Sequence, residues 1–283
     1  MENDNMATME EIHDINLMIL KEIDRICKKY DIQYFLFAGT LLGAIRHKNF
    51  IPWDDDADIV MTRKNYEKFL QHRDEISEKF LLCIPEEHTF FYDKITKLLY
   101  KNSQLRNERN EDLYYENYNN KISTDIFVLD IAFDDWRYFF QLNGIRVTYL
   151  MLMSKRYHID FNDSQYSFLL KIAIRILSTI GKIVPTHFLL KIYSKLQTWA
   201  KNSKSDLLFL STNQPEGLDH LFNKSAFKNE LDGRLGDYIF PIPNGWDEVL
   251  KENYRGEYMT LPPEEKRKPI HIKLDEVKIE KGI

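Results

Sequence analysis

Four carboxylates fall within five residues in the run Ile51-Pro-Trp-Asp-Asp-Asp-Ala-Asp-Ile-Val60, between a Pro-Trp turn and an apolar stretch. Like charges crowded at the start of a β-strand repel one another and work against folding. A divalent cation reverses the sign of that repulsion. Asp56 and Asp58 are two residues apart, so in a strand both point to one face and can share one ion. Hard oxygen donors, with no Cys or His pair nearby, predict Mg²⁺ or Mn²⁺ rather than zinc.

Three other readings of the run compete. A solvated acidic turn is an ordinary use of a charge cluster, but Ile59-Val60-Met61 continues straight into what reads as a buried strand. An EF-hand loop would take Asp54, Asp56 and Asp58 as its first three ligands, then require Gly at its sixth position and Glu at its twelfth. Ile59 and Asn65 stand there, which excludes it. A glycosyltransferase-type Asp-x-Asp usually closes a nucleotide-binding half of about a hundred residues, and only about fifty precede it here.

At 283 residues the chain suits one large domain, or a core domain with an elaboration. A net charge of −5 gives no global attraction to polyanions, so no nucleic-acid partner is expected. Cys27 and Cys83 lack ligand spacing and read as small buried hydrophobes, in keeping with a reducing, cytoplasmic location. Met1 to Glu11 is acidic and polar, without a cationic segment or an apolar core, so no secretory signal is expected. No run reaches the roughly 18 apolar residues of a transmembrane helix. The 18 Phe and 16 Tyr suit stacking on bases, sugars or a quaternary amine, and equally suit a Phe-rich core.

Periodicity predicts an amphipathic helix from about Ala7 to Tyr30, with Ile12, Ile15, Ile19, Ile23 and Ile26 near helical spacing. A short aromatic strand, Gln33 to Ala38, follows. Gly39-Thr40 then turns the chain, with Thr40 as N-cap of a helix over Leu41–Arg46. The acidic strand runs from Asp56 to Met61, and Thr62 caps a helix from Arg63 to about Glu78. Strands are expected at Phe80–Ile84, Lys94–Tyr100 and Ile122–Leu129. The last again places a carboxylate, Asp125, in an apolar strand, which is costly unless it is paired or bound to metal. This order predicts an α+β core on a mixed sheet flanked by helices.

From Tyr138 to about Ala200 the pattern is helical. Ser164 to Ser205 contains no Asp or Glu but carries Lys171, Arg175, Lys182, Lys191, Lys195, Lys201 and Lys204. Two readings stay open: a basic amphipathic surface at a membrane interface, or a helix pair packed on the core with solvated lysines. From Tyr238 to His271 the chain reads as turns and aromatics, including Phe240-Pro-Ile-Pro243. Pro262-Pro263 excludes a helix there. This tail is either an arm covering the site or a surface loop.

Gly39-Thr40 followed by Asp-x-Asp and a third strand carboxylate suits phosphoryl transfer. A glycine turn admits phosphate oxygens to backbone N–H groups, and carboxylates hold divalent ions around the transferring group. Arg46, His47 and Lys48 are either cationic contacts to a diphosphate or a solvated basic loop.

The stretch Phe37-Ala-Gly-Thr-Leu-Leu-Gly-Ala-Ile-Arg-His-Lys-Asn-Phe-Ile-Pro-Trp-Asp-Asp-Asp-Ala-Asp58 resembles the signature of the LicD family. Thr124-Asp-Ile-Phe-Val-Leu-Asp130 resembles its second block. Tyr258-Met-Thr-Leu-Pro-Pro-Glu-Glu-Lys-Arg267, with His271, resembles its third. The resemblance implies a nucleotidyltransferase-like (polymerase-β-like) core with a helical insertion, related to the fukutin-related proteins. Residues 1–135 would form the catalytic core, 136–237 a basic helical elaboration, and 238–283 an arm returning to the core.

The implied activity is transfer of phosphocholine, or a similar headgroup, from a CDP-linked donor such as CDP-choline, with release of CMP. The acceptor would be a hydroxyl of a glycan or lipid-linked glycan: teichoic acid, lipopolysaccharide or capsule. Its implied setting is the cytoplasm, with the inner membrane surface as a site of peripheral contact. By position, Asp56, Asp58 and Asp125 match the metal-binding and catalytic carboxylates, and Asp54 an acidic position assisting them. Lys97 matches a basic position. With it, Gly39, Thr40, Arg46, His47, Lys48, Trp53 and Arg267 make up the expected substrate-binding set. Two positions depart from the family pattern: Arg255-Gly256 replaces Tyr-Gly, and Ser103 replaces Thr. Rival readings are a transferase for another CDP-polyol, a nucleotidyltransferase proper, and a catalytically silent glycan-assembly subunit.

Overall fold

The computed structural model describes residues 7–87, 95–105, 121–155, 167–215, 217–272, 274 and 277–279. In chain order the elements begin with α1 (Met9–Lys29), β1 (Phe35–Leu36), α2 (Ala38–Leu42), β2 (Ala57–Thr62) and α3 (Arg63–Gln71). Strands β3 (Phe80–Cys83), β4 (Thr96–Tyr100), β5 (Ser103–Leu105) and β6 (Ser123–Ile131) follow. Next come α4 (Arg137–Met153), α5 (Phe168–Ile183), α6 (Thr186–Gln197), β7 (Leu207–Leu210) and β8 (Leu221–Asn223). The chain closes with β9 (Glu230–Leu235), β10 (Tyr238–Pro243), α7 (Trp246–Tyr254) and β11 (Val277–Ile279). These form two compact units, the first from residues within Met1–Ile84, Ile95–Leu129 and Phe222–Ile283, the second from Pro85–Lys94 and Asp130–Leu221.

In the first unit α1 opens on a capping box, in which Thr8 and Glu11 satisfy each other's backbone N–H groups. Its Ile12, Ile15, Ile19, Ile23 and Ile26 are buried on one face, as the three- and four-residue spacing predicts. A mixed sheet runs in the order β1-β2-β6-β4-β3. Strands β2 and β6 are parallel, while the other neighbours on this path are antiparallel. The register sets Asp58 opposite Asp125 on β6, and Asp125 opposite Lys97 on β4. Cross-strand partners share a face of a sheet, so these three side chains stand in a row.

Several local expectations are corrected. Helix α2 begins at Ala38, with Phe37 in the cap position, so Gly39-Thr40 lies inside its first turn and Thr40 is not the N-cap. The helix then passes into a π-helical turn over Gly43–His47. The helix expected to reach Glu78 stops at Gln71. Tyr30 stacks on His72, and Arg25 and Lys29 hold the Glu75 carbonyl and carboxylate, so contacts with α1 override the helical pattern. Phe240-Pro-Ile-Pro243, expected as a turn, is strand β10, paired with β9. Proline is tolerated in this two-stranded hairpin because it leaves an edge free of ladder bonds. Gly236, with φ 58°, turns the hairpin, and its N–H donates to the Lys48 carbonyl.

In the second unit α4 packs against both α5 and α6. Leu142, Ile145 and Leu152 of α4 join Leu189 and Tyr193 of α6 and Phe209 of β7 in one buried cluster. Gly181 lets α5 approach α4 closely, since a Cβ there would sit 2.5 Å from the Met151 carbonyl oxygen. The fully buried polar side chain of Gln141 ties this unit together. Its amide donates to the Ile131, Leu196 and Gln197 carbonyls and its oxygen accepts from Phe133 N–H. Truncating it strands several buried backbone groups, so Gln141→Ala is expected to cost about 1–3 kcal/mol. Urea denaturation of the variant should show that shift in midpoint.

Candidate active site

Asp58 is fixed at both backbone atoms. Its N–H donates to Thr40 Oγ1 at 2.8 Å, and its carbonyl accepts from Phe37 N–H at 3.0 Å. The first turn of α2 is thereby tied to the start of β2, and the Thr40 hydroxyl serves the strand rather than the helix end. Asp56 lies just ahead of the strand, which begins at Ala57. Gly39 sits directly beneath Asp54, where a Cβ would come within 2.3 Å of Asp54 Oδ2. Glycine at 39 is what admits that carboxylate.

The acidic turn is buttressed from behind by α1. His13 Nε2 lies 2.8 Å from the Asp54 carbonyl and donates to it, while its ring stacks on Phe50 at 4.9 Å. The Asn16 amide donates to the Asp55 carbonyl at 3.4 Å. Asp55 itself faces away from solvent, 2% exposed, and accepts three bonds from the C-terminal arm. These come from His271 N–H at 2.9 Å, Ile272 N–H at 2.7 Å and His271 Nδ1 at 2.9 Å.

Neighbouring carboxylates of this run titrate in opposite directions. The His271 hydrogen bonds and charge hold Asp55 below the ordinary carboxylate range despite its burial. His271 is correspondingly pushed up to about 9, first by its hydrogen bond to Asp55 and, against desolvation, by the charges of Asp56 and Asp55. Asp54 is raised to about 7 by burial and then by Asp56 and Asp55. Asp56 is raised chiefly by burial. Asp58 is raised well above its usual value by burial and then by Asp56, Asp125 and Asp54. Lys97 Nζ lies 3.0 Å from Asp125 Oδ1 and offsets part of this repulsion.

Two groupings of these residues bear on metal binding. Ligand atoms of Asp55, Asp56 and His271 lie within 4.8 Å of one another. Asp55 already accepts three bonds from the arm, and a protonated imidazole has no lone pair for a metal, so this trio forms an ion-paired latch. Asp54, Asp56, Asp58 and Asp125 instead offer hard oxygen donors, and the charges of the other three raise the pKa of Asp58 after burial. That donor chemistry fits a divalent cation of the Mg²⁺ type.

The remaining expected residues lie around this centre in different ways. The Arg46 guanidinium donates to the Tyr258 carbonyl at 2.7 Å and the Thr260 carbonyl at 3.4 Å, anchoring the arm. It is close enough to Asp54 and Arg267 to feel both charges. His47 packs edge-on against Trp53 at 6.0 Å, and burial followed by Arg46 lowers its pKa. The Arg267 guanidinium stands 5.6 Å over the Trp53 ring, with Nε bonded to the Pro262 carbonyl. Lys48 is exposed in a left-handed conformation and contributes its carbonyl to the hairpin turn.

Sequence reasoning passed over His13, Asn16, Asp55, Tyr254 and His271 as parts of the centre. Tyr254, at the end of α7, has its phenol pushed up by burial and then by Asp54 and Asp58. Asn16 did leave a signal, as a polar residue within the apolar stripe of α1.

An α+β protein with carboxylates on adjacent strands of a mixed sheet, and cationic and aromatic side chains around them, is the class that fold and site define. Residues 31–165 match the family model described as LicD/FKTN/FKRP, nucleotidyltransferase domain. Over that stretch the chain resembles the LicD family. It is 29% identical over 272 residues to the lipopolysaccharide cholinephosphotransferase LicD of Haemophilus influenzae, covering 94% of this chain and 96% of that protein. An uncharacterized protein of Rickettsia prowazekii is 29% identical over 118 residues, covering 35% of this chain and 41% of that protein. One of Rickettsia typhi is 40% identical over 53 residues, 19% of this chain and 17% of that protein.

The raised groups fix the sign of a pH effect. Asp54, at about 7 against an ordinary 3.8, contributes stability that is present in acid and lost as pH rises through 7. His271, at about 9 against 6.5, contributes stability that is lost as pH rises through 9. Both act in the same direction, so in chelator the melting temperature is expected to fall between about pH 5 and about pH 9. Scanning calorimetry across that range checks it, and Asp54→Asn should flatten the lower half of the slope.

Proposed function

We propose that the chain is a metal-dependent phosphotransferase with a nucleotidyltransferase-like (polymerase-β-like) core. It moves phosphocholine, or a similar phospho-headgroup, from a CDP-activated donor to a hydroxyl of a cell-surface glycan and releases CMP. The observation that carries this reading is the row Asp58–Asp125–Lys97 across three neighbouring strands, with Asp54 and Asp56 in the adjoining turn. The name of the Haemophilus relative, a lipopolysaccharide cholinephosphotransferase, supports both the group transferred and a glycan acceptor.

Asp56, Asp58 and Asp125 would hold Mg²⁺ or Mn²⁺. A divalent ion there neutralises charge on the non-bridging phosphate oxygens and on the leaving group. Lys97 holds Asp125 in place through its 3.0 Å contact. Arg46, close enough to Asp54 and Arg267 to feel both charges, and Arg267 would supply positive charge to the diphosphate oxygens. Trp53, already stacked by Arg267, presents an aromatic face of the kind that attracts a quaternary nitrogen or a base. Asp125 is engaged by Lys97, so Asp54 is the carboxylate that takes the proton of the acceptor hydroxyl. The hydroxyl oxygen bonds to the phosphorus bearing choline, the bond from that phosphorus to the CMP oxygen breaks, and CMP leaves.

The decisive measurement is release of CMP from CDP-choline, CDP-glycerol and CDP-ribitol, with and without Mg²⁺, in the presence of acceptor glycan. CMP formed from CDP-choline alone, and only with Mg²⁺, is the expected result. CMP from another donor would reassign the headgroup, and pyrophosphate from a nucleoside triphosphate would replace headgroup transfer by nucleotidyl transfer. Asp58→Asn is expected to lower turnover on the order of a hundredfold or more. It removes a buried charge from a repelling cluster, so its metal-free melting temperature should equal or exceed that of the unsubstituted protein. Added Mg²⁺ should raise the melting temperature of the latter and leave the variant's unchanged. A variant with undiminished turnover removes Asp58 from the mechanism.

A further inference from the structure

Helix α5 is built the wrong way round for a helix whose whole task is to pack on its own unit. Its buried stripe is Ile174, Ser178 and Gly181, two of the three small, with Gly181 pressed against the Met151 carbonyl. The large apolar side chains Leu169, Ile172, Ile176, Ile180 and Ile183 recur at three- and four-residue spacing, and all are exposed, from 40% at Ile172 to 77% at Ile183. They therefore form one continuous apolar stripe on the outer side of the helix.

Charge identifies what covers that stripe. On the helical projection, Lys171, Arg175 and Lys182 fall together on one flank of it. The outward positions of α6 add Phe188, Lys191 and Lys195, all exposed. No acidic residue occurs anywhere from 164 to 205, in a chain whose net charge is −5. A second copy docking face to face through this stripe would bring like charges together. An anionic bilayer meets both halves of the pattern: acyl chains take the apolar stripe and acidic headgroups pair with the flanking cations. Among the described residues no helix is long and apolar enough to cross a membrane. A 16-residue helix falls short of the about 20 residues a span needs, and its stripe covers one side only.

We infer that α5 lies in the plane of an anionic membrane surface, with its Leu169–Ile183 stripe in the acyl boundary and the basic flank on acidic headgroups. The same geometry distinguishes it from a solvated helix pair, in which the large apolar side chains would face inward. This inference does not depend on which group is transferred, and its test reads lipid partition rather than turnover.

The full chain is floated with vesicles of phosphatidylcholine alone, and with vesicles containing about one-third phosphatidylglycerol. Binding to the anionic vesicles, weakened by salt and weak on neutral ones, is expected. Ile172→Gln with Ile176→Gln should lower the partition coefficient by about tenfold or more, and these positions are exposed, so the fold should persist. Arg175→Glu with Lys182→Glu should abolish the preference for anionic vesicles through a different physical contribution. Protein that stays unbound on anionic vesicles overturns the inference. So does binding that survives the isoleucine substitutions, or a vesicle-independent dimer that those substitutions dissociate.

Discussion

Repulsion among the clustered carboxylates governs the arrangement of the first unit: burial raises the pKa of Asp54, Asp56 and Asp58, and each also feels a neighbouring carboxylate, Asp56 for Asp54, Asp55 for Asp56, and Asp56, Asp125 and Asp54 for Asp58. A turn loaded in this way would spread apart if its backbone were free. It is held at three separate places. The hydroxyl of Thr40 fixes Asp58, the side chains of His13 and Asn16 hold the carbonyls of Asp54 and Asp55, and the arm clamps Asp55. Each restraint comes from a different part of the sequence. The convergence of α1, α2 and the arm on one turn is therefore what keeps the carboxylates close together.

Within that frame, two adjacent residues of identical chemistry have opposite roles. Asp54 and Asp55 share a backbone and a net field, yet the first is pushed up and the second held down. The difference is hydrogen bonding. Asp55 accepts two backbone N–H groups and an imidazole, which favour its charged form, whereas among the described residues Asp54 gains burial without such donors. Burial alone does not decide which way a member of an acidic run is shifted. The count of donors aimed at each carboxylate weighs against it.

The elements with strong local signals were legible in the sequence. Residues 12, 15, 19, 23 and 26 gave α1 directly, and the apolar runs at 80–83, 96–100 and 123–129 gave strands. That Asp125 would stand in a strand was readable from its apolar neighbours; that Lys97 would stand beside it was not, because register is a property of pairing between distant segments. The errors share one cause. Thr40 looked like a cap, residues 72–78 looked helical, and 240–243 looked like a turn, and in each case a tertiary contact outweighed the local preference: the Asp58 N–H, the Tyr30–His72 stack, and pairing with β9. His271 was visible only as part of a block, since nothing local links a histidine at 271 to an aspartate at 55.

The two amphipathic helices α1 and α5 show what periodicity does and does not say. Both carry isoleucines at three- and four-residue spacing, and from the pattern alone both predict a helix with one apolar face. In α1 that face is buried; in α5 it is exposed, because the side turned inward carries Ser178 and Gly181. The distinguishing signal lies in what else is on the helix. Helix α1 carries both signs of charge, acidic at its start in Glu10 and Glu11 and basic at its end in Lys28 and Lys29, so its polar face is close to neutral and suits water. The polar residues of α5 are small or cationic, with no acid among them. A small-residue stripe supplies the packing surface, which leaves the large apolar stripe available to a second environment, and the uniform sign of the charge says what that environment carries.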